Sequence, residues 1–163
     1  MSKVRFDFFS ASLRFDDKTT RAERRALSVF APISEIWEEF IEVCRTKYKP
    51  SSYVKIDEQL VEFRGKCHFR MYIPNKPSKY GLKIVLLNDV SAKYLINASL
   101  YLDKSTRTNG LPLADYFVEL LARAIYGTNR NITMDNWFTN VSLADRLLSR
   151  PYNLTIVETI RKK

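Results

Sequence analysis

KIDEQLVEFRG, residues 55–65, decides how this chain is read. With Tyr53 and Val54 before it, the run has a two-residue period. Val54 and Ile56 point one way, Lys55 and Asp57 the other, as in a β-strand. Arg64-Gly65-Lys66 then turns the chain. A second acidic word, ITMDNWFT at 132–139, sets Asp135 at the end of another strand-like run. Two carboxylates side by side on adjacent strands form an oxygen-lined site for divalent metal. Enzymes that cut nucleic acid with two metal ions need such a site.

The residues between the two words supply the scaffold. Phe69, Met71 and Ile73 alternate with Arg70 and Tyr72 until Pro74-Asn75-Lys76-Pro77 breaks the run. Leu82, Ile84 and Leu86 make a strand that Asn88-Asp89 ends. Tyr94, Ile96, Ala98, Leu100 and Leu102 make the next, ended by DKSTRTNG. A helix follows at 112–126, with Leu113, Phe117, Leu120, Leu121 and Ala124 as its core face and Gly127 as its stop. Asp115 near its start and Arg123 near its end suit the helix dipole. Ile132 and Met134 mark a short strand. Leu143, Ala144, Leu147 and Leu148 form a second helix that Pro151 ends, and Leu154, Ile156 and Ile160 a last strand. Counting the turn-linked part as a three-stranded meander, the order is β-β-β-α-β-α-β. Turn-linked strands favour antiparallel pairing, and strands separated by helices favour parallel neighbours through right-handed crossovers. If the strand after the first crossover pairs with the first strand, Asp57 and Asp135 become neighbours. The expected fold is then an α/β, ribonuclease H-like mixed sheet preceded by a small helical region.

That helical region is residues 1–50. Residues 3–14 mix Val4, Phe8, Phe9 and Leu13 with charges, and FDDKTTRAERRA (15–26) reads as a charged connector. Pro32 opens an amphipathic helix. Its apolar face is Ile33, Ile36, Trp37, Phe40, Ile41 and Cys44; Glu35, Glu38, Glu39 and Glu42 cover the other side. Lys49-Pro50-Ser51-Ser52 ends it, which places the domain boundary at 50/51.

Composition limits the function classes. The chain has 163 residues, 45% hydrophobic, with 4 Gly and 6 Pro. That suits a packed globule of one domain, or one with a small appendage, and excludes disorder. The net charge of +9 favours a polyanionic partner such as nucleic acid. Two cysteines, Cys44 and Cys67, make neither a disulfide framework nor a structural zinc site, and His68 beside Cys67 adds too little. No apolar run is long enough to span a membrane, and the charged first residues do not read as a signal peptide.

The basic residues mark the expected nucleic-acid contacts. Lys76, Lys79 and Lys83 fall in a Pro-rich turn and strand beside Tyr72 and Tyr80, a mix suited to phosphate contact with some stacking. Arg64 and Lys66 occupy the turn after the first aspartate. Arg21, Arg24 and Arg25 cluster on the connector. A solvated basic face is the plain alternative for each patch. Trp137 reads as a wedge between strand and helix rather than a base-stacking residue.

The strings LRFDDKTTRAERR, FAPISEIWEEF, VKIDEQLVEFRGKC, YIPNKPSKYGLKI, YLDKS, GLPLADYFVELL and MDNWFTN, in this order from end to end, resemble the piggyBac family of DNA transposases and their cellular derivatives. The resemblance implies that Asp57 and Asp135 are the first two members of a catalytic carboxylate triad that holds Mg²⁺. It also implies a DNA partner, possible homodimers and a nuclear location. Residues 1–50 then resemble the latter part of the family's dimerisation and DNA-binding region. Residues 51–163 resemble the N-terminal part of its catalytic domain. The family's third catalytic aspartate, its cysteine-rich zinc module and its acidic N-terminal extension have no counterpart here. The expectation is an incomplete, interior segment with weak metal binding, for which Asp89, Asp103 and Glu158 are poor substitutes as a third acid. Three classes remain open from the sequence: a working transposase core, a non-catalytic DNA-binding or dimerising derivative, and a gene remnant without function.

Overall fold

A computed structural model describes residues 1–158. The chain divides into two compact units, Met1–Phe40 and Ile41–Lys163. In the first, helix α1 spans Lys3–Ser12, with the Ser2 side chain accepting the Arg5 amide at its start. None of its residues is buried. The stretch expected as a connector contains a further helix, α2, over Arg21–Leu27. Its stabilisation is not visible as periodicity. The Asp16 carboxylate accepts hydrogen bonds from both Arg21 and Arg24. Arg24 also donates to the Ala31 carbonyl at 3.0 Å and pairs with Glu35 at 3.2 Å. Arg21 and Arg24 therefore organise this segment instead of forming a free basic patch.

Helix α3, Ser34–Thr46, runs from the first unit into the second. The expected apolar face is only partly used. Ile41 and Cys44 are buried, whereas Ile33, Ile36 and Phe40 remain 43%, 40% and 50% exposed.

The second unit is built on one sheet. Its strands are β1 (Tyr53–Glu62), β2 (Met71–Tyr72), β3 (Tyr80–Asp89), β4 (Leu95–Leu100), β5 (Asn131–Met134) and β6 (Thr155–Glu158). The order is β2-β3-β1-β5-β6, with β4 also paired to β3. The turn-linked pairs are antiparallel; β1–β5 and β5–β6 are parallel. The strand after the first crossover thus does pair with the first, giving the ribonuclease H-like sheet. The meander has four strands, β1 to β4, where three were expected; the 69–73 run does pair, but as a strand of only two residues, β2. Pro74 offers no amide to continue the ladder, and the rest of that edge of β3 is taken by β4. Gly81, opposite both Glu62 and Met71, sits where the strands crowd. A Cβ there would lie 2.3 Å from the Val61 carbonyl oxygen. The expected Ile160 lies outside the described residues.

One face of the sheet carries the apolar core. Val54, Ile56, Val85, Leu87, Ile132 and Met134 pack with helix α4 (Leu113–Ala122) and helix α5 (Val141–Leu148) in a single buried cluster. Each fully buried aliphatic or aromatic side chain contributes about 1.5–3 kcal/mol through surface removed from water. In α4, Phe117 and Leu121 are buried as expected, joined by Val118 and Ala122. Leu120 is only partly buried and Ala124 is exposed, while Ile125 is buried. The chain tightens into a 3-10 turn at Arg123–Ile125, which rotates successive side chains further than an α-helix does.

Asp115 is buried rather than simply facing the helix dipole. Its two oxygens accept from the Asn140 side-chain amide at 3.0 and 2.9 Å, and Arg146 adds a bond at 3.3 Å. The Asn140 side-chain oxygen caps α5 by accepting the Ser142 amide. One asparagine therefore ties the starts of the two helices together.

Candidate active site

The register of β1 and β5 ends on the pair Lys55 and Thr133. Two residues beyond that pair come Asp57, still within β1, and Asp135, just past the end of β5. The even step keeps Asp57 on the face that carries Lys55, opposite the buried Val54 and Ile56.

The Asp57 carboxylate is oriented from two sides. Oδ1 accepts the Glu58 amide at 2.8 Å and Oδ2 the Lys55 ammonium at 2.6 Å. Partial burial works against ionisation, but the Lys55 and Glu58 donors and the charge of Lys76 outweigh it, so the pKa is lowered. Asp135 is exposed, and its Oδ1 accepts the Trp137 amide at 2.9 Å. Its own carbonyl accepts the Phe138 amide at 3.2 Å. Each carboxylate is held by backbone while retaining lone pairs for a cation. This donor set suits a hard divalent ion that prefers oxygen.

None of the other acids considered from the sequence joins the pair. Asp89 is buried at the end of β3 and accepts the amides of Ser51, Ser91 and Ala92. Burial alone would raise its pKa, yet those amides hold it down at about 2. Asp103 lies exposed in the 3-10 turn Asp103–Ser105. Glu158 pairs with Met134, which places it on the core face. Burial and the nearby Asp115 charge raise its pKa, and its Oε1 has no hydrogen-bond partner among the described residues. Among the described residues, no group of three or more His, Cys, Asp and Glu is gathered that could hold a metal.

The five basic residues separate into two sets. Arg64, Lys66 and Lys79 are exposed. Arg64 and Lys79 line an open pocket of about 520 Å³ with Arg70 and Tyr80. Arg70, absent from the expected contacts, holds the preceding turn through the carbonyls of Arg64 and Gly65 and lies over the Tyr80 ring at 5.3 Å. Tyr80 packs on Tyr72 at 4.8 Å. The sequence signal for Arg70 is its place beside this aromatic pair. Lys76 and Lys83 face Glu58 instead, at 3.7 and 3.1 Å. The Lys83 side chain is 13% exposed, and its ammonium lies 4.2 Å from the centre of the Trp137 ring. Trp137 in turn meets buried Phe138 edge-on at 4.6 Å.

A mixed ribonuclease H-like sheet that carries acidic words on two neighbouring central strands is the class the fold defines. Comparison with known proteins gives the family. A family model described as Transposase IS4 matches residues 1–163. A piggyBac transposase, solved by cryo-EM in a synaptic complex with hairpin DNA, is 53% identical to this chain and superposes with a TM-score of 0.92. That match covers 99% of this chain and 34% of the other, so the sequence spans about a third of its relative's length. The chain belongs to the piggyBac-type transposases of this family. No helix among the described residues is long and apolar enough to cross a membrane.

Proposed function

We propose that this chain is part of a piggyBac-type transposase core, whose ancestral role is DNA strand cleavage and transfer, with Asp57 and Asp135 as two of its metal-binding carboxylates. The observation that carries this reading is the parallel pairing of Tyr53–Lys55 with Asn131–Thr133, which supports neighbouring positions for the two acidic words. Asp57 and Asp135 would hold Mg²⁺, with the Glu58 and Trp137 amides fixing the direction of each carboxylate. Such a metal pair, when bound, activates the attacking oxygen and stabilises the leaving one. Lys55 neutralises Asp57 and must yield part of that contact to a cation. Arg64, Lys66 and Lys79 supply exposed charge for phosphate contact, largely independent of sequence. Self-association and work in the nucleus follow from the same reading.

With no third acid beside the pair among the described residues, the segment alone is catalytically incomplete and its metal affinity is low. The test uses a labelled duplex with Mg²⁺ or Mn²⁺, comparing the chain with Asp57→Ala and Asp135→Ala. The expected result is metal binding that both variants lose, with negligible strand cleavage in Mg²⁺. Efficient cleavage that both variants abolish would overturn the incompleteness. Metal binding indifferent to both variants would overturn the site.

A further inference from the structure

Lys83 was expected to contact DNA phosphate, but its surroundings assign it elsewhere. Leu60 is the cross-strand partner of Lys83, and Glu58 that of Val85, so Glu58 and Lys83 share one face of β1 and β3. Their charged groups meet at 3.1 Å, and little of the lysine reaches solvent. The other side of the ammonium lies on Trp137, with Tyr101 further off at 6.0 Å. A cation so placed is attracted by the negative face of the indole, more strongly as water is excluded. Phe138, fully buried, meets the same indole edge-on at 4.6 Å.

Trp137 is also the residue whose amide orients the Asp135 carboxylate. The contacts therefore run from Glu58, the neighbour of Asp57, through the Lys83 ammonium and the Trp137 ring to Asp135. They join the two acidic words by a route separate from the backbone ladder. We propose that Glu58, Lys83 and Trp137 form a clamp that positions the Asp135 carboxylate relative to Asp57, with Lys83 as a positioning residue and not a DNA ligand. Its meaning for metal binding rests on the functional reading above; its structural content does not. Asp135 lies beyond the last paired residue of β5, so the strand ladder alone leaves its direction free. A ligand group must be held within a narrow range of angles to bind a small octahedral ion well.

The experiment is NMR on the intact chain. Amide exchange at Trp137 reports the bond to Asp135, and Mn²⁺-induced broadening of the Asp57 and Asp135 signals reports metal binding. Lys83→Met should speed Trp137 exchange on the order of tenfold, the scale of a partly desolvated ammonium–indole contact. It should also weaken Mn²⁺ binding several-fold, while β1 and β3 amides keep their protection. Glu58→Gln, which frees the ammonium, should move both readouts the same way. Lys83→Arg, which retains both the ion pair and the ring contact, should restore both. Unchanged Trp137 exchange in Lys83→Met overturns the clamp. Faster exchange with unchanged Mn²⁺ binding overturns the positioning role. A fall of about one in the salt slope of duplex binding for Lys83→Met shows the ammonium on phosphate, and also overturns the proposal. Mn²⁺ binding insensitive to Asp57→Asn and Asp135→Asn defeats the functional reading and the positioning role together, while the exchange data still decide the clamp.

Discussion

Asn140→Ala should be among the most damaging single changes outside the apolar core. Two separate losses follow from the geometry. The α5 cap made by the asparagine oxygen disappears, at a cost of about 1 kcal/mol. Asp115 also loses both bonds from the Asn140 amide and is left, among the described residues, with Arg146 at 3.3 Å. Because Asp115 is 3% exposed, water cannot replace those donors. A lost hydrogen bond to a buried charged group costs about 1.5–3 kcal/mol. The total is about 2.5–4 kcal/mol, or a fall in Tm of roughly 8–12 °C for a domain of this size. Urea unfolding followed by circular dichroism measures it directly. Asn140→Ser separates the two parts, since serine still caps but cannot reach Asp115; it should lose about 1.5–3 kcal/mol. An Asn140→Ala cost below about 1 kcal/mol, or wild-type stability in Asn140→Ser, refutes the claim that this residue joins α4 to α5.

The other expected outcomes are as follows. Phe117→Ala, at a fully buried site of α4, should cost about 3–5 kcal/mol in the same denaturation assay. A loss below about 1 kcal/mol would place α4 at the periphery. Lys55→Met removes the ammonium that competes for Asp57 Oδ2, and should raise Mn²⁺ affinity about two- to five-fold, the scale of an exposed ion pair; lower affinity contradicts the competition. Asp89 has a pKa of about 2 in the folded chain, below its ordinary 3.8. Its contribution is fully present above pH 3.8 and lost as pH falls through about 2. Acid unfolding of Asp89→Asn should lack that component, and a curve parallel to wild type through this window counts against it. Replacing Arg64, Lys66 and Lys79 together should lower the salt slope of duplex binding by about 2–3, and an unchanged slope removes these side chains from the interface.

The parts of the fold that were legible in the sequence are those that repeat. Val54 and Ile56 against Lys55 and Asp57 gave β1 and its faces, and the helix between the two acidic words gave the parallel pairing. Period alone cannot set length. The alternation at 69–73 is strand-like, yet only Met71 and Tyr72 find paired positions on β3. Helix α2 was hidden because its supports are ion pairs to Asp16, which follow no spacing rule. The two aspartates stood out because one lies within a recognisable strand and the other just after one. The surroundings of Lys83 were not. Its side chain sits on the core-side face of β3, where an ammonium is acceptable only because Glu58 and Trp137 converge on it. That convergence involves three segments distant in sequence.

Gly81 has a consequence for how the chain tolerates change. Of the four glycines, Gly110 needs only its left-handed backbone, φ +83°, and has nothing within 4 Å of a would-be Cβ. Asparagine adopts such a conformation at small cost, so drift at that position should be frequent. At Gly81 the obstacle is the backbone oxygen of Val61, which cannot turn aside as a side chain does. Even alanine must part β1 from β3 close to the turn carrying Arg64 and Lys66. Selection on this strand crossing therefore acts on a single hydrogen atom, and a library of variants should be nearly empty at Gly81 while remaining populated at Gly110.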